Sequence, residues 1–82
     1  MTNAQKTALR TEKMIRDMIV ADGGVVESIN IFAPFIFVRV PETSKPQIKR
    51  FFKVAEERGM IENIEYSFDE EIAEIKMSAS IK

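Results

Sequence analysis

Carboxylates crowd one short stretch of this 82-residue chain: Glu62, Glu65, Asp69, Glu70, Glu71 and Glu74. Paired carboxylates run acid–base chemistry when one of them is desolvated and its pKa is driven up. They hold calcium when a loop spaces them for it. Here they fall in turns and on polar strand faces, and no calcium-loop spacing is present. As a group they are expected to form a solvated surface, or to offer negative charge to a basic groove as a nucleic-acid mimic does. The chain has no histidine and no cysteine. Missing with them are the side chain that titrates nearest neutrality, the commonest transition-metal ligand, and thiol, disulfide and zinc-thiolate chemistry. Acid–base work is left to carboxylates, lysines and Tyr66. Gly23-Gly24 follows a helix instead of joining a strand to a helix, which is the wrong context for a phosphate loop. The expectation is a non-enzymatic protein with no catalytic, cofactor-binding or metal residues and no small-molecule substrate.

A second chemistry is aromatic. In the stretch 35–40, Ile36, Val38 and Val40 point one way and Phe35 and Phe37 the other, because strand side chains alternate. If both helices cover one face of a sheet, one of these sets is left on the opposite face. Phenylalanines exposed on a sheet suit a protein interface or a homodimer, and also a base-stacking platform. The bland alternative is a loop or terminus lying over them. Phe32, Phe35, Phe37 and Arg39, with Glu70 and Glu71, are the expected protein-binding residues.

The third is basic. Lys6, Arg10 and Lys13 share one face of a first helix, and Lys45, Lys49 and Lys53 share one face of a second. Such rows can lie along a phosphate backbone, where counterion release drives binding, or can simply be solvated. The charge is unevenly spread: +4 over residues 1–55 and −5 over residues 56–82, for a net of −1. That asymmetry can steer a partner.

These residues must be held by α-β-β-α-β-β. Residues 3–21 read as a helix opened by a Thr2/Gln5 capping box and closed at Asp22-Gly23-Gly24, with Ala4, Ala8, Ile15, Met18 and Ile19 toward the core. Residues 25–32 and 35–40 read as strands joined at Ala33-Pro34. Residues 44–58 read as a helix with a Ser44/Gln47 capping pair, Pro46 in its first turn, a buried stripe of Ile48, Phe51, Phe52 and Ala55, and a stop at Gly59-Met60. Residues 61–68 and 72–79 read as a hairpin turning at Asp69-Glu70-Glu71. The fold class is α+β: one domain over 1–82, with a four-stranded, mainly antiparallel sheet and two helices. Gly24-Val25-Val26-Glu27-Ser28-Ile29-Asn30-Ile31 aligns with Gly59-Met60-Ile61-Glu62-Asn63-Ile64-Glu65-Tyr66, the outline of an internal duplication or of two junctions obeying the same physics.

Val40-Pro41-Glu42-Thr43 and Glu56-Glu57-Arg58-Gly59-Met60-Ile61 match a strand ending in Val-Pro-x-Ser/Thr and a helix ending near Glu-x-Gly-Phe-Ile. In these residues the stretch 35–77 resembles the N-terminal half of the eighth-family small-subunit ribosomal protein, an RNA binder. The resemblance implies helix, strand, helix and hairpin. The family's C-terminal RNA-contacting domain has no counterpart in it, the spacing between the motifs is longer here, and residues 25–32 add a strand. None of the family's RNA-binding positions carries over. Residues 57–62 before a hairpin also echo winged-helix DNA-binding proteins, which need two helices just ahead of that glycine.

The apolar runs are too short to cross a bilayer and the start of the chain lacks an apolar signal core. The sequence therefore predicts a cytoplasmic protein, in the host cytoplasm if viral. Its expected function is protein binding, to a partner or to a second copy, as in a small phage-type regulator or inhibitor of a host protein. The alternative is an RNA- or DNA-binding module that uses the basic helix faces.

Overall fold

A computed structural model describes residues 2–82, the side chain of Ala4 excepted. Its elements are α1 (Asn3–Ala21), β1 (Ser28–Phe32), β2 (Phe35–Pro41), the short 3-10 turn Glu42–Ser44, α2 (Lys45–Glu57), β3 (Ile61–Asp69) and β4 (Glu74–Ile81). The strands form one antiparallel sheet in the order β1-β2-β4-β3. The class and the α-β-β-α-β-β order are those the sequence predicts.

Both helices lie on the same side of the sheet. Ile15 and Ile19 of α1 and Ile48, Phe52 and Ala55 of α2 share one buried cluster with Ile29, Ile36, Val38, Val40, Ile61, Ile75, Met77 and Ala79. The register explains why all these strand residues face one way: Ile29 is opposite Val38, Ile36 opposite Ala79, Val38 opposite Met77 and Val40 opposite Ile75. Directly opposed residues in a ladder share a face.

Each helix ends by the same device. Past α1, the Gly23 and Gly24 N–H groups donate to Val20 O and Ile19 O; past α2, those of Gly59 and Met60 donate to Glu56 O and Ala55 O. This is the Schellman pattern, with Gly23 (φ 87°) and Gly59 (φ 72°) in the left-handed position. The structurally equivalent glycines are thus Gly23 and Gly59, whereas the sequence alignment matched Gly24 to Gly59. Gly24 is glycine for another reason: a Cβ there would stand 2.7 Å from Ile19 Cγ2 and 3.0 Å from Ile19 O. The strand order is unchanged when the two helix-plus-hairpin halves are exchanged, so the topology is symmetric about the β2–β4 pair, although the matching elements differ in length.

Several local expectations need correction. The Thr2/Gln5 capping box forms, but the Ser44/Gln47 box does not. The 3-10 turn feeds straight into α2, giving Ser44 turn-like dihedrals, and its hydroxyl instead accepts from the Val25 N–H at 2.8 Å. That bond draws residue 25 toward the start of α2, so β1 begins at Ser28 and not at 25. Met18 is exposed instead of core-facing, and Phe51 is half-buried. The second hairpin turns over residues 70–73, with Ala73 at φ 51°, so β4 runs from Glu74 to Ile81 instead of 72–79. In β3 a bulge between Glu62 and Glu65, with Asn63 at φ 56°, absorbs one residue. Strict alternation would send Ile61 and Ile64 to opposite faces. The extra residue lets both pack toward the core.

Candidate interface on the open sheet face

The face of the sheet away from the helices carries the alternate residues of every strand. On β1 these are Ser28, Asn30 and Phe32, and on β2 they are Phe35, Phe37 and Arg39, paired Ser28–Arg39, Asn30–Phe37 and Phe32–Phe35. Phe32, Phe35 and Phe37 are 65%, 51% and 43% exposed, with the Phe32 and Phe37 ring centroids 6.4 Å apart and tilted at 58°. Cross-strand aromatic pairing of this kind steadies the rings against each other. The sequence expectation that one residue set of strand 35–40 is left uncovered holds, and the phenylalanines are that set.

The next strand supplies small and charged residues: Ser80 opposite Phe35, Ser78 opposite Phe37, Lys76 opposite Arg39 and Glu74 opposite Pro41. Beyond it, β3 adds Glu62, Glu65, Ser67 and Asp69 opposite Ser80, Ser78, Lys76 and Glu74. Across the face the surface therefore passes from aromatic through serine to acid. Strand alternation alone assigns these residues to faces within each strand. That β4, and not β3, lies beside β2 is a matter of topology, so the sequence reading missed Ser78 and Ser80 as neighbours of the rings.

The cations of this face are already engaged. Arg39 Nε donates to Ser28 Oγ at 3.1 Å and stands 3.6 Å from Glu74 Oε1, and Lys76 Nζ lies 3.7 Å from Asp69 Oδ2. With Glu62 and Glu65 added, the face is net negative.

Of the expected protein-binding residues, Phe32, Phe35, Phe37 and Arg39 share this face. Glu70 and Glu71 lie toward the Arg39 end of the face and do not join the phenylalanines. They sit in the β3–β4 turn, beyond Glu74, while Phe35 pairs with Ser80 near the other end of β4. Six residues of strand, roughly 20 Å, separate the two ends.

The expected nucleic-acid residues lie on the helical layer. Lys6, Arg10, Lys13, Lys45, Lys49 and Lys53 are all exposed. Lys13 pairs with Asp17, and Lys49 Nζ stands 5.3 Å from the centre of the Tyr66 ring, in cation–π range. Tyr66 is the chain's one tyrosine. Its register partner is Met77, which puts it on the helix side of β3 beyond the edge of α2. Burial, and secondarily the Glu56 carboxylate, push its phenol above the ordinary value. The rows on α1 and α2 remain separate, since Lys49 leans toward β3 while the α1 side of α2 presents Arg50, bound to Asp22 at 2.7 Å.

Among the described residues no group of three or more histidine, cysteine or acidic side chains converges as a metal site, and no helix is long and apolar enough to cross a membrane. Fold and face together define a two-layer α+β domain with an uncovered aromatic sheet face. No family model, curated protein or solved structure matches the chain.

Proposed function

We propose that the chain is a non-enzymatic protein-binding module that docks through the open sheet face, with Phe32, Phe35 and Phe37 as its apolar anchors. One observation carries the reading. Three phenylalanines stand uncovered on a face whose own cations are neutralised by its own carboxylates. Aromatic anchors dominate the energetics of protein interfaces, and the acidic flank supplies a polar rim. A nucleic-acid platform would need free cations beside the stacking rings to meet the phosphates. Here the lysine rows lie on the opposite layer. The face suits a partner protein or a second copy of the chain, and a module of this size acts by occupying its partner's surface, as a small phage-type regulator or inhibitor of a host protein does.

The test is the double variant Phe35→Ser/Phe37→Ser. It should remain folded by circular dichroism and lose partner capture or self-association by about 2 kcal/mol or more, the scale of an interface hot spot. Unfolding of the variant would show these rings to be structural and would sink the proposal. Steep salt-dependent retention on an immobilised polyanion, abolished by Lys49→Glu/Lys53→Glu, would favour the nucleic-acid reading instead.

A further inference from the structure

On the other layer, α1 and α2 meet through the buried cluster and part toward solvent. A groove of about 360 Å³ runs between them, floored by Met14, Met18, Phe51, Val54 and Met60. Met18 and Val54 are 52% and 45% exposed, although each belongs to a helix whose other face is core. Along α2 the groove extends from Gln47 to Arg58, roughly 16 Å or three helical turns at 1.5 Å per residue.

Its two ends differ in charge. At one end Asp22 holds Arg50 through two contacts, Nε at 2.9 Å and Nη2 at 2.7 Å, so that end is neutral. Gln47 Oε1 lies there too, buried and without a hydrogen-bond partner among the described residues. At the other end is Arg58, and Arg10 stands one turn before Met14 on the same ridge of α1. Neither arginine takes part in an ion pair among the described residues.

We infer that this groove receives an amphipathic helix of a partner protein, lying parallel to α2 with acidic residues in its last turn. The groove is open along one side, so a small apolar ligand in it would stay partly wet, whereas a ligand pocket buries most of its ligand. A helix needs only one face covered, and two flanking ridges with an apolar floor are what such a helix docks into. Methionine's flexible thioether side chain lets the floor adapt to the incoming residues. The charges set the direction. The partner's N-terminal end lies at the Asp22–Arg50 end, where no unpaired cation opposes its positive dipole. Its C-terminal end, negative by dipole and by its acids, meets Arg58 and Arg10. This site is independent of the sheet face, so the two readings fail separately.

The experiment pans a random library of displayed peptides, each about 14 residues long, against the full chain, and measures selected peptides by fluorescence anisotropy. Enriched sequences should place apolar residues at helical i, i+4 and i+7 spacing and Asp or Glu in the last turn. Met18→Lys/Val54→Lys, checked for folding by circular dichroism, should weaken them about tenfold or more, while Phe35→Ser/Phe37→Ser leaves them unchanged. Arg10→Glu/Arg58→Glu should also weaken them, and peptides with Lys in place of the terminal acids should recover binding to that variant. The inference is overturned by no enrichment, by enrichment without the spacing or the acids, by binding that survives the groove variant, or by binding lost with the sheet-face variant.

Discussion

Ser44 Oγ accepts the Val25 backbone N–H at 2.8 Å, joining the first turn of the second half to the helix–strand connection of the first. Ser44 is 3% exposed and is the one buried polar residue among those described. The hydroxyl satisfies an N–H that has left α1 and has not yet entered the sheet, and it holds that connection against the start of α2.

Ser44→Ala should therefore leave that N–H unpaired and cost about 1–3 kcal/mol, the penalty of a partly buried polar group stripped of its partner. The urea midpoint should fall with little change in slope. An unchanged midpoint would show that water replaces the hydroxyl.

Neighbouring residues of β2 should respond in opposite ways. Ile36→Ala removes a side chain that is 2% exposed and packed in the core, and should cost about 2–5 kcal/mol. Phe37→Ser, one residue along on the open face, should cost less than about 1 kcal/mol. Thermal denaturation of the two single variants makes the comparison.

The phenol of Tyr66 is raised above its ordinary value near 10, by burial first and by Glu56 second. A raised folded value means that the neutral phenol is favoured in the fold. The stability this contributes is present below the unfolded value and is lost as pH rises through the folded one. With one tyrosine and no tryptophan, absorbance at the phenolate band reads Tyr66 directly. Its midpoint should lie above that of the chain unfolded in urea. Glu56→Gln should lower the midpoint without restoring the ordinary value, because burial, the larger cause, remains.

The helix-exit glycines should separate by mechanism. Gly59→Ala meets no atom within 4 Å and suffers only its left-handed backbone, at about 1–2 kcal/mol. Gly24→Ala drives a methyl against Ile19 Cγ2, Ile19 O and Gln47 Cβ. Backbone as well as side chain must then give way, so the cost should reach or exceed the upper part of the roughly 1–3 kcal/mol range for overpacking. Equal losses in chemical denaturation would contradict this account.

Much of this fold was legible because its signals are local. Thr2 with Gln5 caps α1, Gly23 and Gly59 end the helices, and alternation along β2 separates Ile36, Val38 and Val40 from Phe35 and Phe37. Beyond the shifted hairpin turn and the bulge at Asn63, the failures involve distant partners. Ser44 has the spacing for a cap, yet its hydroxyl is taken by Val25, far away along the chain. Met18 has core spacing, but it lies on the solvent side of the helix pair and faces the groove. In the candidate interface the three phenylalanines could be assigned to one face. Their serine neighbours, the acidic strip beyond, and the distance to Glu70 and Glu71 all follow from β4 lying between β2 and β3, which no local pattern encodes.

The bulge at Asn63 makes the two borders of the sheet unequal. At β3 the irregular backbone and the outward carboxylates of Glu62 and Glu65 spoil the template that a further strand would need. At β1 the border is short, regular and uncharged from Ser28 to Phe32. A chain with two receptive borders can polymerise without end, whereas one with a single receptive border can only meet its own image across a two-fold and stop. Strand addition between copies through β1 alone would end at an eight-stranded pair. The irregularity that brings Ile61 and Ile64 into one core also makes β3 the poorer template for a further strand.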